Sequence, residues 1–119
     1  MAASIDSATY VNDGMNIGRV WGMSRITASA NGEECQVRYI GICTHNPATT
    51  IWSHCRHGAA GKGKGIKAVD EAGAYACTSC DAAYDQMQGA KHMSRAELDL
   101  DWFMGHMRSL VILKQKGLI

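Results

Sequence analysis

Two cysteine pairs decide the fold of this chain: Cys35-Gln-Val-Arg-Tyr-Ile-Gly-Ile-Cys43 and, much further along, Cys77-Thr-Ser-Cys80. Four cysteines contributed in pairs by two segments are the usual ligands of a structural zinc site, in which thiolates surround the ion as a closed tetrahedron. Two disulfides are the alternative, but they require an oxidising compartment. The N-terminal stretch carries Asp6 and Asp13 and has no apolar signal-peptide core, so we expect zinc.

A fifth cysteine, Cys55, fits neither pair. We expect a free thiol there, although Cys55 could also replace one of the four zinc ligands. A redox role for the pair formed by Cys77 and Cys80 is disfavoured, because the other two cysteines are better explained as ligands of the same metal ion.

Length and charge distribution limit the class of protein. A chain of 119 residues suits one domain, and no apolar stretch approaches the ~20 residues that cross a bilayer, so we expect a soluble, cytoplasmic protein. The formal net charge is only +1, but no acidic residue lies between Cys35 and Val69. A basic segment is typical of a nucleic-acid-binding surface and equally of a solvated loop. Its basic side chains other than histidine are Arg38, Arg56, Lys62, Lys64 and Lys67.

The first half of the chain predicts the beginning of a small α+β domain. Residues 1–23 are polar with isolated apolar side chains and predict a mobile arm, and residues 24–119 predict a single domain. A short helix is predicted over residues 24–30. The segment 35–43 alternates apolar and polar residues and predicts a strand, in which Gly41 allows a tight bend that turns Cys43 toward Cys35. The β-branched and aromatic segment 49–54 predicts another strand.

The second half brings the second cysteine pair into this domain. A loop rich in glycine and lysine leads to a return strand over residues 72–76 and then to a helix over about residues 78–88. On that helix Asp81 follows Cys80 directly, and Asp85 lies four residues after Asp81. We therefore expect these three side chains to be neighbours around one helix turn.

The last helix begins with the capping box Ser94-Arg95-Ala96-Glu97, in which a hydroxyl and a carboxylate satisfy each other's backbone donors. His106 within this helix is predicted to be a surface or half-buried side chain. Apolar residues recur at helical spacing and are predicted to be core, although on the surface they could close a homodimer. These residues are Leu98, Trp102, Met104, Met107, Leu110, Val111 and Leu113.

The order of strand, histidine, basic loop, strand, cysteine pair and helix resembles the ββα-metal core of zinc-stabilised HNH-type nucleases. A closer resemblance, over about residues 26–117, is to the YbcO-like family of small prophage proteins described as nuclease-related. It implies a small zinc-stabilised ββα-metal fold, HNH-like or treble-clef-like, with a C-terminal helix. The motifs that carry it are Cys35-Gln36-Val37-Arg38, Gly41-Ile42-Cys43, Asn46-Pro47, Thr49-Thr50, His54, Gly63-Lys64-Gly65, Lys67, Asp70, Gly73-Ala74-Tyr75-Ala76-Cys77, Ser79-Cys80 and Asp85.

The resemblance also implies a role for each residue of the site. His54 is expected to be the general base, because an imidazole titrates near neutral pH, and His57 is the second candidate for base or ligand. Asp81 and Asp85 are expected to hold one catalytic Mg²⁺ or Mn²⁺.

One position departs from the family pattern. The family usually has His followed by Asp directly after the second cysteine pair, whereas this chain has Asp81 followed by Ala82. Carboxylate oxygen suits Mg²⁺ or Mn²⁺ at least as well as imidazole does, so ligation could survive with a changed metal preference. Loss of activity is the other interpretation. Lys64 and Lys67 are expected to steady the scissile or neighbouring phosphates, with Lys67 close to the chemistry.

Two classes of function remain open at this point. The first is a phage or prophage metal-dependent DNA endonuclease for recombination, repair or processing, working with DNA and with a possible phage recombination partner. The second is a zinc-stabilised nucleic-acid-binding module without catalysis, in which Asp81 marks an inactive site. Both predict zinc and salt-sensitive DNA binding, but only the first predicts strand scission that requires an added divalent ion.

Overall fold

The computed structural model describes residues 24–57 and 69–119, which form a two-stranded antiparallel sheet, three α-helices and a short 3-10 helix over Pro47–Thr49. This arrangement confirms the predicted small α+β fold with a C-terminal helix. Both predicted strands of the hairpin and all three predicted helices are present. The elements are α1 (Arg25–Ser29), β1 (Thr50–His54), β2 (Gly73–Cys77), α2 (Thr78–Gln86) and α3 (Arg95–Gln115).

Several sequence predictions fall outside this part of the chain. They are the mobile arm over residues 1–23 and the phosphate-binding roles of Lys62, Lys64 and Lys67. Within the two described ranges, no helix combines the length and the apolar character needed to span a membrane.

The two faces of the hairpin pack against different parts of the molecule. In the strand register Trp52 lies opposite Tyr75, and their rings meet edge to face with centroids 5.1 Å apart. This face packs against α1 and the end of α3. Ser53 lies opposite Ala74 on the other face, and Ala74 belongs to the core cluster that includes α2. Successive side chains of a strand alternate between the faces, so each strand contributes to both clusters.

The segment 35–43, predicted to be a strand bent at Gly41, is a loop. The strand prediction is wrong, whereas the bend predicted at Gly41 is present. Arg38 has a φ of 57° and Gly41 a φ of 77°, both in the left-handed region that strand residues do not occupy. Val37 and Tyr39 are buried in these turns, which explains the apparent alternation. An extended strand of this length would separate its two end residues by roughly 26 Å, so cysteines that share one ion require the chain to turn back.

The outer edge of β2 is closed by this cysteine loop and by α3. The Gln36 N–H donates to the Tyr75 carbonyl at 2.7 Å, and the Tyr75 N–H donates to Ser109 Oγ at 2.9 Å. A glycine in α3 permits this close approach, because a Cβ at Gly105 would lie 2.9 Å from the carbonyl oxygen of Gln36 and from Cα of Val37. The helix α3 thus clamps the cysteine loop onto the sheet.

The long helix α3 begins as predicted and is buried along a narrower face than predicted. Ser94 is its N-cap, and the reciprocal capping box with Glu97 is formed. Met104, Met107 and Val111, predicted to be core, are instead 47% to 57% exposed. A sheet of only two strands covers one side of a helix, so one stripe of residues is buried. That stripe consists of Leu98, Trp102, Gly105, Ser109 and Leu113.

Gly105→Ala should destabilise the protein by about 1–3 kcal/mol, because the added methyl group would overlap backbone atoms of the cysteine loop. The same change inside an exposed helix would instead stabilise by ~1 kcal/mol. Urea unfolding followed by circular dichroism measures the difference. Gln115→Ala, at an exposed position of the same helix, is the control and should stay within ~0.5 kcal/mol of the parent. A Gly105→Ala protein as stable as the parent would contradict this packing.

Candidate functional site

Four cysteine thiols converge where the cysteine loop meets the start of α2. The Sγ atoms of Cys35, Cys43, Cys77 and Cys80 all lie within 4.8 Å of one another. Four thiolates around Zn²⁺ at ~2.3 Å would have tetrahedral edges of ~3.8 Å, and the Sγ atoms of Cys43 and Cys77 are 3.9 Å apart. Donor type and dimensions therefore fit a zinc ion, and the four predicted ligands are the ones brought together.

Backbone N–H groups point at three of these sulfur atoms. Each donor lies two or three residues further along the chain than its cysteine and 3.4 Å from the sulfur. Such donors stabilise a thiolate and hold its orientation. The pairs are Arg38 to Cys35, His45 to Cys43 and Cys80 to Cys77.

The pKa values of the four thiols differ because burial and hydrogen bonding act on each thiol to a different extent. A hydrogen bond from the Cys80 thiol lowers the pKa of Cys35 to about 4, and the same bond raises the pKa of Cys80. Burial raises the pKa of Cys43 to about 11. Burial also opposes ionisation of Cys77, but hydrogen bonds from Thr44 and Cys80 outweigh it and lower the pKa of Cys77. Four thiolates at this separation need a cation to ionise together, which is what a bound metal ion supplies.

The fifth cysteine, Cys55, lies outside this cluster. It follows directly after β1, and its Sγ accepts a hydrogen bond from the Tyr84 hydroxyl at 3.9 Å. It is a free cysteine in the structure. The geometry therefore does not use Cys55 as a substitute for any of the four clustered thiols.

Asp81, in the first turn of α2, is anchored to the sheet. The Ser53 hydroxyl donates to Asp81 Oδ1 at 2.6 Å, and Trp102 Nε1 donates to the same hydroxyl at 3.0 Å. Sequence reasoning missed both Ser53 and Trp102. Strand alternation could have indicated that Ser53 lies on one face of β1, but nothing local indicates which helix lies there.

The two acidic residues of α2 differ in their surroundings. Asp81 is half-buried and hydrogen-bonded to Ser53, whereas Asp85, one helix turn further on, is exposed. Within residues 24–57 and 69–119, the four cysteines are the only group of three or more side chains placed to share a metal ion. Any ion on the two aspartates would thus complete its coordination with water or substrate, as Mg²⁺ commonly does.

The two candidate general bases lie at the end of β1 and just beyond it. His54 is half-buried, and its Nδ1 is buried without a hydrogen-bond partner among the described residues. His57 is exposed, and its Nε2 lies 3.2 Å from Asp99 Oδ2. Asp99 also pairs with Arg95 at 2.8 Å. The predicted base and its runner-up therefore occupy different environments, and of the two only His57 has a carboxylate partner within residues 24–57 and 69–119.

The two predicted phosphate-binding residues that the structure describes are both exposed. Arg56 follows β1, and its backbone N–H donates to the Tyr84 hydroxyl at 3.0 Å. Arg38 lies in the cysteine loop, where its Nε donates to the carbonyl of Cys35 at 3.0 Å. Arg38 also lines a surface groove of about 440 Å³ together with Glu34, Cys35, His45 and Pro47. Both residues lie at the surface, but the Arg38 guanidinium is already engaged within the cysteine loop, where it also donates to Gln36 Oε1 at 3.2 Å.

Loss of a metal ion held by the four cysteines, or of one of the thiolates, should unfold the protein. Metal–sulfur bonds would be the strongest link between the cysteine loop and α2. We expect Cys77→Ser, or treatment of the parent with a strong chelator, to abolish the cooperative thermal transition. His54→Ala should keep one tightly bound metal ion and a parent-like transition. Metal analysis by mass spectrometry beside calorimetry tests both expectations. Equal losses of stability in the two variants would contradict a structural role confined to the cysteines.

Comparison with known proteins identifies a matching protein family. A family model described as "Putative nuclease YbcO" matches residues 24–118, a range that contains every helix and strand given above. Two relatives named "Putative nuclease YbcO", from Escherichia coli K12 and from Enterobacteria phage 82, are each 32% identical over 98 residues. Those residues are 82% of this chain and 98% of each relative.

A solved structure is also similar. It is titled "Structure of a putative bacteriophage protein" and comes from Escherichia coli K-12 MG1655. The TM-score is 0.61 at 27% identity, and the similarity covers 76% of this chain and 98% of that one.

Proposed function

Because this chain belongs to the YbcO family, whose relatives are named as nucleases, we propose that it is a phage or prophage metal-dependent DNA endonuclease. It would act in DNA recombination, repair or processing in the cytoplasm of a bacterial host, alone or with a phage recombination protein. The observation that carries the proposal is the family match across the cysteine cluster and the hairpin–helix unit together. Without that match, the cysteine cluster would support no particular activity.

We propose that β1, β2 and α2 form an HNH-like ββα-metal core. Support comes from their order, from α2 beginning directly after β2, and from Cys77 at that junction serving both as N-cap and as a cluster thiol. Zinc in a site of four thiolates has no open coordination position, so its role would be structural. Its position next to the first turn of α2 would fix where Asp81 points.

Asp81 and Asp85 are the proposed ligands of the catalytic ion, Mg²⁺ or Mn²⁺. Such an ion supplies positive charge for the phosphoryl oxygens and orients the attacking water. The Ser53 hydroxyl occupies one of the ~4 lone-pair positions of the Asp81 carboxylate, so positions remain for ligation. The anchoring by Ser53 and Trp102 would keep that carboxylate in one orientation.

His54 is the proposed general base, which takes a proton from the attacking water. Its unpartnered Nδ1 leaves the imidazole without a described group that fixes its tautomer. His57 is the alternative base, and Asp99 would orient it as carboxylates orient other catalytic imidazoles. Arg38, Arg56, Lys62, Lys64 and Lys67 are the proposed phosphate contacts, and Lys67 is also a proposed catalytic residue.

One observation favours the second function, a nucleic-acid-binding module without catalysis. The resemblance to the family implies His at the position of Asp81, and one oxygen of Asp81 is already engaged by Ser53. In this alternative the basic segment still contacts phosphates, so DNA binding falls steeply with salt while no bond is cleaved.

Cleavage of supercoiled plasmid and of branched DNA, with Mg²⁺ or Mn²⁺ added, tests the proposal. We expect His54→Ala and Asp81→Ala to lower the rate by about 10²–10⁴-fold. Glu71→Ala, which removes an exposed acidic group before β2, should cleave like the parent. All proteins are first shown to hold one zinc ion and to bind DNA. A rate lost in His57→Ala and kept in His54→Ala would move the base to His57.

No scission by a folded, zinc-loaded, DNA-binding parent would reject the endonuclease and support the binding module. That outcome is distinguishable from misfolding, because zinc content and salt-dependent DNA binding are measured on the same preparation.

Restoring the family residue tests the role of Asp81 more directly. Asp81→His should shift the preferred activating ion from Mg²⁺ and Mn²⁺ towards Co²⁺, Ni²⁺ or Zn²⁺, because imidazole favours softer ions than carboxylate does. We expect the ratio of Mn²⁺-supported to Co²⁺-supported cleavage to change by about tenfold or more. Asp81→Asn is the matched control, since an amide oxygen can still accept from Ser53 but carries no charge. An unchanged ratio in Asp81→His would show that Asp81 does not touch the catalytic ion.

A further inference from the structure

One face of α3 carries large apolar side chains that remain exposed in the described structure. Each of these side chains is between 47% and 61% exposed. They recur at intervals of three or four residues and therefore lie along one side of the helix. We call this set the apolar stripe. It consists of Leu100, Phe103, Met104, Met107 and Val111.

The apolar stripe is held facing outward by the packing of the opposite face of α3. Gly105 lies against the backbone of the cysteine loop, and Ser109 accepts the Tyr75 N–H and donates to the Gly105 carbonyl. Leu98 and Leu113 are fully buried near the two ends of the helix. The helix therefore cannot rotate to bury the apolar stripe within the same molecule.

We propose that the apolar stripe is the contact surface of a homodimer, in which the α3 helices of two copies pack antiparallel. A two-fold axis near Met104 and Met107 would place Leu100 of one copy opposite the partner's Val111. This arrangement is self-complementary, since each contact occurs twice. The inference does not depend on the nuclease activity.

The exposed area is sufficient for a reversible dimer. Five side chains of this size, each about half exposed, present on the order of 500 Å² of apolar surface per copy. Two copies would bury roughly 1,000 Å², which lies at the lower limit of specific protein interfaces. We therefore expect a dimer that dissociates on dilution in the micromolar range rather than an obligate one.

Charge along α3 selects the antiparallel orientation. The N-terminal half of the helix is acidic on balance, because Glu97 and Asp101 lie there beside the ion pair of Arg95 and Asp99, whereas the C-terminal half carries Arg108 and Lys114. Antiparallel packing brings Asp101 of one copy within about one turn of the partner's Arg108, and the helix dipoles oppose each other favourably. Parallel packing would bring acid to acid and base to base. Within its own copy, Arg108 donates to the Gln36 carbonyl of the cysteine loop.

Sedimentation analysis of the full chain between about 1 and 100 µM tests the proposal. We expect the mass to rise from 12.9 kDa towards twice that value. Met104→Glu and Met107→Glu should weaken association by at least ~100-fold, because a buried unpaired carboxylate opposes docking. Ile40→Glu is the matched control, because Ile40 is 86% exposed but lies outside α3. Thermal unfolding confirms that all variants are folded.

A parent that stays monomeric at about 100 µM would overturn the proposal, and so would a dimer that both α3 variants retain. A monomer would mean that another segment of this chain or a different protein covers the apolar stripe. Crosslinking tests the orientation. With a short bismaleimide, a mixture of Leu100→Cys and Val111→Cys proteins should crosslink well above the level of the parent, whereas neither variant alone should. Efficient crosslinking of each variant alone would overturn the antiparallel arrangement.

Discussion

The convergence of four cysteine sulfurs is the constraint on which the rest of this structure depends. The two-stranded hairpin and the three α-helices enclose a small core. The net free energy of unfolding of such domains is ~5–15 kcal/mol. A structural zinc ion contributes an apparent ~10–16 kcal/mol in small metal-binding peptides. A metal ion of that strength would decide whether this domain folds. The four thiols are already oriented for metal binding, since backbone N–H groups point at three of the four sulfur atoms.

The helix α3 is also joined to α2 by a stack of three rings. Tyr84, Trp102 and His106 stack in order, with ring centroids 4.6 Å and 5.6 Å apart and nearly parallel planes. Arg95 lies over the outer face of Tyr84, at 5.3 Å from the ring centroid. The indole in the middle of this stack donates to the Ser53 hydroxyl that holds Asp81. Packing of α3 and the orientation of the candidate catalytic carboxylate are thus one physical unit.

Helix geometry keeps the two candidate metal functions apart. Cys80 and Asp81 are adjacent in sequence, yet successive residues of a helix point ~100° apart. Cys80 therefore faces the buried thiol cluster, whereas Asp81 faces the sheet and Ser53. A closed structural ion and an open catalytic ion could sit on neighbouring residues without sharing a ligand. Because both residues lie in the same turn of α2, a structural ion on Cys80 would also fix the position of Asp81.

The sequence by itself determined the features that depend on local chemistry. The strand of β-branched and aromatic residues, the capping box at Ser94 and the start of α2 after Cys77 all formed where they were predicted, because neighbouring residues supply their stabilising contacts. The four cysteines were also identified correctly as a set, since composition and spacing restrict a structural zinc site to few choices.

Only the tertiary structure decided the features that depend on distant contacts. The alternation in segment 35–43 predicts a strand with one bend at Gly41, but the segment also turns at Arg38 and forms no strand, because its two cysteines meet at one site. The apolar residues of α3 exceed what a two-stranded sheet can cover, and the position of Gly105 against the cysteine loop selects the buried side. Ser53 acquired its role because β1 pairs with β2 beneath α2. Each of these outcomes follows from what packs against a residue, which local sequence does not encode.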